Sequence, residues 1–226
     1  MSLMQMMLGS VSIAQSLTFI ASATSTSTGT AASTIVIPAT AAIGDIAVLF
    51  EMNFSGGVGS ASYSGTPAAP AGWTQINSAN AGAITSGVGV VNSYKVLVSG
   101  DPGATVTCLS GIGTGGCRNI ILIFRPARTP IITTANVNGQ STTAVPTNQS
   151  IGGGAVAPSI YLAHWAASAA ITTRGSTVTM TEVAGASTQQ YAKYLIYNSG
   201  TSPGTSTIST TDVGTNGMQS LVLNVA

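Results

Sequence analysis

Apolar and polar residues alternate with a period of two along most of the chain, and the 3.6-residue period of an amphipathic helix is almost absent. Clusters of Gly, Pro, Ser and Asn separate the alternating runs, as is typical of turns. The pattern therefore predicts an all-β protein, with no helix longer than about two turns. The predicted strands are Leu17–Ala21, Thr34–Ile37, Asp45–Phe54, Trp73–Asn77, Val88–Val98, Thr105–Leu109, Asn119–Phe124, Ile131–Val137, Ser159–Ala167, Thr177–Val183, Tyr191–Tyr197, Thr205–Thr210 and Gln219–Val225.

Many short strands at this spacing favour an antiparallel β-sandwich, jelly-roll-like or immunoglobulin-like, over other all-β folds. The run Ile120–Phe124 is continuously apolar, so its strand should be central and covered on both faces. Six apolar side chains in the strand patterns are expected in the core: Val48, Ile121, Ile123, Leu162, Leu195 and Leu223.

The order of the predicted elements repeats along the chain. The run Tyr94–Val98 followed by Pro102-Gly103 in the first part has a counterpart in the run Lys193–Tyr197 followed by Pro203-Gly204. The sandwich is therefore predicted to span residues 16–226 as two pseudo-repeated meanders, 16–135 and 158–226, joined by a polar crossover at 136–157. One sandwich and two tandem ones both remain open, although the thin core of a single half favours one.

The first fifteen residues differ from the rest of the chain, because four of the seven Met residues fall within the first seven positions. Methionine is flexible and packs well against irregular apolar surfaces. Residues 1–15 are therefore interpreted as an arm that packs into a neighbouring subunit, with a first strand of the protein's own core as the alternative. The residues assigned to the assembly contact are Met4, Met6, Met7 and Leu8.

The composition excludes several classes of protein. Only 5% of the residues are charged, against about 25% in an ordinary soluble domain, while 44% are hydrophobic. The hydrophobic content argues against a disordered chain, and a net charge of +1 disfavours a nucleic-acid partner. Residues 1–43 carry no charge, but their Ser, Thr and Ala content argues against a membrane span. A secretory signal is also disfavoured, because no Lys or Arg precedes the apolar region.

The search for catalytic and metal-binding groups yields little. Gly200-Thr201-Ser202-Pro203-Gly204 matches a serine hydrolase pattern, but Pro203 lacks the N–H that an oxyanion hole would need, so a turn is expected. The single histidine, His164, lies in a strand pattern and is interpreted as a hydrogen-bonded sheet residue rather than a base.

The carboxylates are too scattered to form an acid–base pair. Asp45 and Glu51 lie six positions apart in one strand, hence roughly 20 Å apart, which is too far for a glycosidase pair. Asp45, Asp101 and Asp212 are assigned to turns, with weak calcium binding as a distant alternative for the last two. No enzyme activity, cofactor or metal is therefore expected.

Two further residue types leave alternatives open. Cys108 and Cys117 flank a Gly-rich segment and are compatible either with a disulfide or with two reduced thiols. Trp73 follows a Pro-Ala-Gly turn, and Trp165 lies beside the only histidine. Core anchoring is the main interpretation of a Trp after such a turn, and a ligand surface built on Trp73 or Trp165 is the alternative.

The first part of the chain resembles a recurring pattern in uncharacterised tailed-bacteriophage structural proteins. The pattern is carried by Gly44–Phe50, Pro70–Ile76, Tyr94-Lys95-Val96 and Asp101–Thr107, and the segment Met4–Gly9 is similar to the start of many phage tail-associated proteins. The resemblance covers about residues 1–125. It implies a β-sandwich virion component and carries over no catalytic residue.

Three functions follow from these observations as hypotheses. The first is a non-enzymatic virion protein of the tail, collar or fibre, homo-oligomeric and bound to other virion proteins through its arm. The second is a head decoration protein. The third is a carbohydrate-binding or adhesin module that recognises glycans of the host surface. A weakly charged surface favours a protein held in an assembly of many copies, because it lacks the repulsion that keeps monomers apart.

Overall fold

The computed structural model describes residues 16–54, 67–81, 87–111, 115–142, 148–151, 155–199, 203–211 and 216–226. Within these residues the chain forms strands and no helix, which confirms the all-β prediction. The strands are β1 (Leu17–Thr28), β2 (Ala32–Val36), β3 (Ile46–Phe54), β4 (Thr74–Ala81), β5 (Val88–Val96), β6 (Thr105–Ser110), β7 (Gly116–Pro126), β8 (Ile132–Thr142), β9 (Gln149–Ile151), β10 (Ser159–Ala167), β11 (Gly175–Ser176), β12 (Thr181–Ala184), β13 (Gln190–Tyr197), β14 (Ser206–Ser209) and β15 (Asn216–Val225).

The strands form two large and two small antiparallel sheets. The large sheets have the orders β1-β7-β3-β5-β4 and β12-β13-β10-β15-β8, and the small ones β2-β6 and β11-β14-β9. The two large sheets face each other across an inner core that draws on β1, β3 and β7 from one sheet and β10, β13 and β15 from the other. Each small sheet covers the outer face of one large sheet, which creates a first and a second outer core.

The central strands are apolar on both faces because each large sheet is covered on both sides. In β3, Val48 and Phe50 contribute to the inner core, whereas Ala47 and Leu49 contribute to the first outer core. Alternation along one extended strand thus supplies two cores at once. This arrangement explains why no residue of β3 is exposed.

The two halves of the chain share one topology. Read in reverse, the second large sheet is β8-β15-β10-β13-β12, which corresponds strand for strand to β1-β7-β3-β5-β4. The pair β9-β14 likewise corresponds to β2-β6. The halves meet at the short connection between β7 and β8, so β8 and β9 occupy much of the segment 136–157 that the sequence predicted as a crossover.

Each predicted strand has a counterpart in the structure, although the ends differ in nearly all of them. The predicted Ser159–Ala167 agrees fully with β10, whereas only the end of the predicted Thr177–Val183 is a strand, in β12. The short strands β9 and β11 were not predicted, because two or three residues show no periodicity. Five of the six expected core residues are fully buried; the sixth, Leu195, packs half-buried against the second outer core.

Candidate functional site

The histidine predicted to be a sheet residue is one. His164 is fully buried between the two large sheets. Its Nδ1 lies 3.0 Å from Oδ1 of Asn92, and its Nε2 lies 3.0 Å from Nε2 of Gln190, which also donates to the carbonyl of Phe50. An amide oxygen on one side and an amide N–H on the other fit a neutral ring that carries its proton on Nδ1. Burial lowers the pKa of His164 to about 3, so the ring is neutral at physiological pH.

A buried carboxyl group in β3 was not singled out from the sequence as a feature of the core. Glu51 is fully buried, and its Oε1 accepts a hydrogen bond of 2.9 Å from the backbone N–H of Leu109. Burial raises the pKa of Glu51 to about 8, so the group is largely protonated at neutral pH. The sequence signal was its place directly after the apolar run Ile46–Phe50 of the same strand.

Both cysteines lie near this carboxyl group and are free thiols in the structure. Cys108 and Cys117 are buried, and the thiol of Cys117 donates to the carbonyl of Leu109 at 2.9 Å. Burial raises the pKa of both thiols, which disfavours the reactive thiolate form. Among the described residues, no group of three acidic, His or Cys side chains is arranged to hold a metal ion.

Two of the three aspartates assigned to turns have that role. Asp45 accepts from the backbone N–H of Ala42 at 2.8 Å and forms two hydrogen bonds of 2.8 Å with Arg125. Asp101 accepts from the backbone N–H of Val98 at 2.7 Å and pairs with Lys95 at 2.6 Å. Asp212 lies outside the described residues, as do Gly200, Thr201 and Ser202 of the hydrolase-like motif.

A groove lined by both polar and apolar residues lies beside Trp73. The turn from Pro70 to Trp73 closes with a backbone hydrogen bond of 3.1 Å and needs Gly72 at its positive φ of 80°. Trp73 is half-buried, with part of the indole packed on the first outer core. The groove, which we call the Trp73 groove, has a volume of about 260 Å³ and is lined by Ile37, Pro70, Ala71, Trp73, Lys95, Asp101, Ala104, Thr105, Val106 and Thr107.

Trp165 does not belong to any ligand surface in this structure, which corrects the alternative considered for it. Its side chain is 1% exposed and lies in the second outer core. The indole Nε1–H donates to the carbonyl of Ser209 in β14 at 3.2 Å. The small sheet β11-β14-β9 covers this face, and two of its three strands were too short to be predicted.

At the position in the second half that is equivalent to the Trp73 groove, the chain has different residues. Thr74 lies opposite Tyr94 in the first half, and Thr181 lies opposite Tyr194 in the second. Met180 and Leu195 therefore stand where the first half has Trp73 and Lys95. Both pack on the second outer core. The Trp73 groove is thus a feature of one half and not a requirement of the shared topology.

Apolar exposure is concentrated at one end of the sandwich. We call this the basal end, where β1, β3, β8 and β10 begin and β5, β7, β13 and β15 end. The two sheets meet there, since the side chain of Asn198, which follows β13 of the second large sheet, exchanges hydrogen bonds with the backbone of Leu17 in β1 of the first. Of the six large hydrophobic residues exposed in the described part of the chain, five lie at this end with 52–69% exposure: Val36, Ile43, Val98, Ile131 and Val156.

The described chain begins at the same end. The side chain of Asn198 fixes the start of β1, accepting from the N–H of Leu17 at 2.7 Å and donating to its carbonyl at 3.1 Å. Residues 1–15, with the assembly-contact residues Met4, Met6, Met7 and Leu8, lie outside the described residues. Ser16, the first described residue, and the start of β1 at Leu17 both lie at the basal end.

Comparison of the chain with protein-family models, curated proteins and solved structures finds no match. The described part of the chain has no helix with the length and apolar character needed to cross a membrane.

Proposed function

We propose that this protein is a non-enzymatic structural component of a bacteriophage virion, in the tail, collar or fibre, where its basal end holds it in an assembly of many copies. The observation that carries the proposal is the grouping of five exposed apolar residues at the end where the chain enters the sandwich. Exposed apolar residues that stand singly need no explanation, whereas a group of them marks an interaction surface.

The weak charge of the protein supports the same function. Six basic and five acidic residues in 226 give little repulsion between copies. Much of this charge is also used within the chain, as in the pairs Lys95–Asp101 and Arg125–Asp45. A protein with such a surface is well suited to a packed assembly.

The placement of the titratable groups supports a non-enzymatic role. General acid–base catalysis needs a group within hydrogen-bond reach of a substrate. Burial lowers the pKa of His164 to about 3 and raises the pKa of Glu51 to about 8. Both side chains are fully buried in cores. Their shifted pKa values follow from burial in the fold, not from a cleft.

The proposal is tested on intact particles purified from the source of the protein. Mass spectrometry is expected to find the chain in multiple copies, and antibody labelling in electron micrographs is expected to mark the tail, collar or fibre. Labelling confined to the head would favour the decoration alternative. Absence from purified particles, with the chain abundant elsewhere in the same culture, would contradict a virion function.

A further inference from the structure

We propose that the Trp73 groove receives residues 4–8 of a second copy of this chain. The inference rests on the proposed assembly through the basal end and adds the surface that accepts the segment. It would make Met4, Met6, Met7 and Leu8 the donor side of the contact and Trp73 the centre of the acceptor side.

The groove and its surroundings suit a short apolar segment. Trp73 and Val106, both partly exposed, supply apolar surface, and methionine sulfur makes favourable contacts with aromatic rings. Val36 lies directly opposite Thr105 of the groove in the β2–β6 pairing, so both side chains leave the same face of the sheet. A bound Met-rich segment would cover Val36 as well as fill the groove.

The charged residues of the groove neutralise each other, so the groove does not favour a charged ligand. Lys95 and Asp101 pair at 2.6 Å, and the second oxygen of Asp101 accepts from the N–H of Val98. The pair leaves the groove without net charge, which matches residues 4–8, since they carry none. The stem of Lys95 adds apolar surface beside the indole.

A second copy fits the wider basal end better than the segment of the same chain. The five exposed apolar residues come from both halves, as Val36, Ile43 and Val98 belong to the first, Ile131 to the connection and Val156 to the second. A segment of five residues covers at most about 17 Å in extended form. Covering the remainder requires a larger body, which a neighbouring subunit supplies.

The difference between the halves sets the stoichiometry. Met180 and Leu195 replace Trp73 and Lys95 in the second half, so the described residues of each copy form such a groove in the first half and not at the equivalent position of the second. One donor segment and one acceptor on each chain suit a closed ring or a reciprocal dimer.

The test is disulfide cross-linking between variants of the full chain that each carry one added cysteine. Protein carrying Met6→Cys is mixed with protein carrying Val98→Cys, and copper–phenanthroline in air serves as oxidant. Val98 lies next to the groove, because its backbone N–H donates to the carboxylate of Asp101. The native thiols of Cys108 and Cys117 are buried. The matched control is Val137→Cys, since Val137 is the exposed large hydrophobic of the described residues that lies away from the basal end.

We expect a linked pair at twice the mass of one chain with Val98→Cys, and at least tenfold less with Val137→Cys. Equal linkage at both positions would mean random collision and would overturn the proposal. Linkage within single chains of a Met6→Cys/Val98→Cys double variant, without linkage in the mixture, would assign the groove to the chain's own segment and overturn it as well.

Three further outcomes test this inference beside the proposed function. An oligomer in native mass spectrometry without linkage to Val98→Cys would overturn the groove as acceptor and leave assembly standing. A monomer without linkage would overturn both. A change in Trp73 fluorescence with millimolar methyl glycosides, absent from a Trp73→Phe variant and without linkage, would overturn the proposal in favour of a host glycan in the groove.

Discussion

Two buried titratable residues act on stability in opposite directions. Glu51 has a folded pKa of about 8, above its unfolded value near 4.5, so its favourable contribution is complete below pH 4.5 and is lost as the pH rises toward 8. His164 has a folded pKa of about 3, below its unfolded value near 6.5, so its contribution is complete above pH 6.5 and is lost as the pH falls toward 3. Between pH 4.5 and 6.5 the two residues therefore change the free energy of unfolding in opposite directions as the pH rises.

Replacement of Glu51 by Gln should remove the loss of stability on the alkaline side. The wild-type protein is expected to lose about 2 kcal/mol of unfolding free energy between pH 6.5 and 8, because the buried carboxyl group must ionise. The Glu51→Gln variant should be flat over that range, as measured by urea unfolding at several pH values. A variant that keeps the wild-type slope would show that Glu51 is not the group responsible.

Replacement of His164 by Asn should reveal, at lower pH, the pH dependence of the unfolding free energy that Glu51 causes. Without a histidine whose pKa is depressed, the free energy of unfolding should fall by about 3 kcal/mol from pH 4.5 to 6.5, where the wild-type protein is nearly level. The slope, measured by the same urea titrations, is the readout, since the substitution also changes packing. A level profile in the variant would contradict the opposing roles assigned to these residues.

At this scale the sequence predicted some roles and missed others. His164 could be interpreted correctly because a lone histidine in a strand pattern, without a carboxylate to orient it, is rarely a base. Trp165 was assigned a ligand surface as an alternative because the sheet that covers it contains strands of two and three residues. Glu51 was assessed only as a partner of Asp45, although a carboxyl group directly after the apolar run Ile46–Phe50 already indicates a buried acid.

At the scale of elements, β7 is the strand on which the first half depends. It lies between β1 and β3, and its residue Ile121 is fully buried opposite Leu49 and Ala23. An Ile121→Ala substitution should therefore cost about 2–5 kcal/mol of unfolding free energy, measured by chemical denaturation. The exposed Thr24→Ala on β1 serves as control and should change stability by no more than about 0.5 kcal/mol. A loss below about 1 kcal/mol for Ile121→Ala would mean that β7 is not central.

The elements that the sequence predicted are those with a strong alternating or continuously apolar pattern. β1 extends to Thr28, beyond its predicted end at Ala21, because small Ser and Thr side chains at its end still pair with β7 but carry little hydrophobic signal. The small sheets were the hardest to foresee. Their strands are short, and their pairing partners are distant in sequence, as with β2 and β6.

At the scale of the whole molecule, the repeat of element order could be seen in the sequence, but the way the halves pack could not. Both large sheets had to be covered on each face to explain strands such as Ile120–Phe124, yet nothing in the pattern indicates which sheet covers which. The basal end emerges only in three dimensions. Its five exposed apolar residues are spread from Val36 to Val156 along the chain.

The central claim is that the protein assembles through its basal end and residues 1–15. The direct measurement is sedimentation velocity of the full chain beside a variant in which Met4, Met6, Met7 and Leu8 are all Ser. The wild-type chain should sediment as an oligomer, and the variant as a monomer slightly lighter than the 22.4 kDa of one wild-type chain, with an unchanged β-type circular dichroism spectrum. A wild-type chain that is monomeric at every concentration, or a variant with the wild-type mass, would contradict the claim.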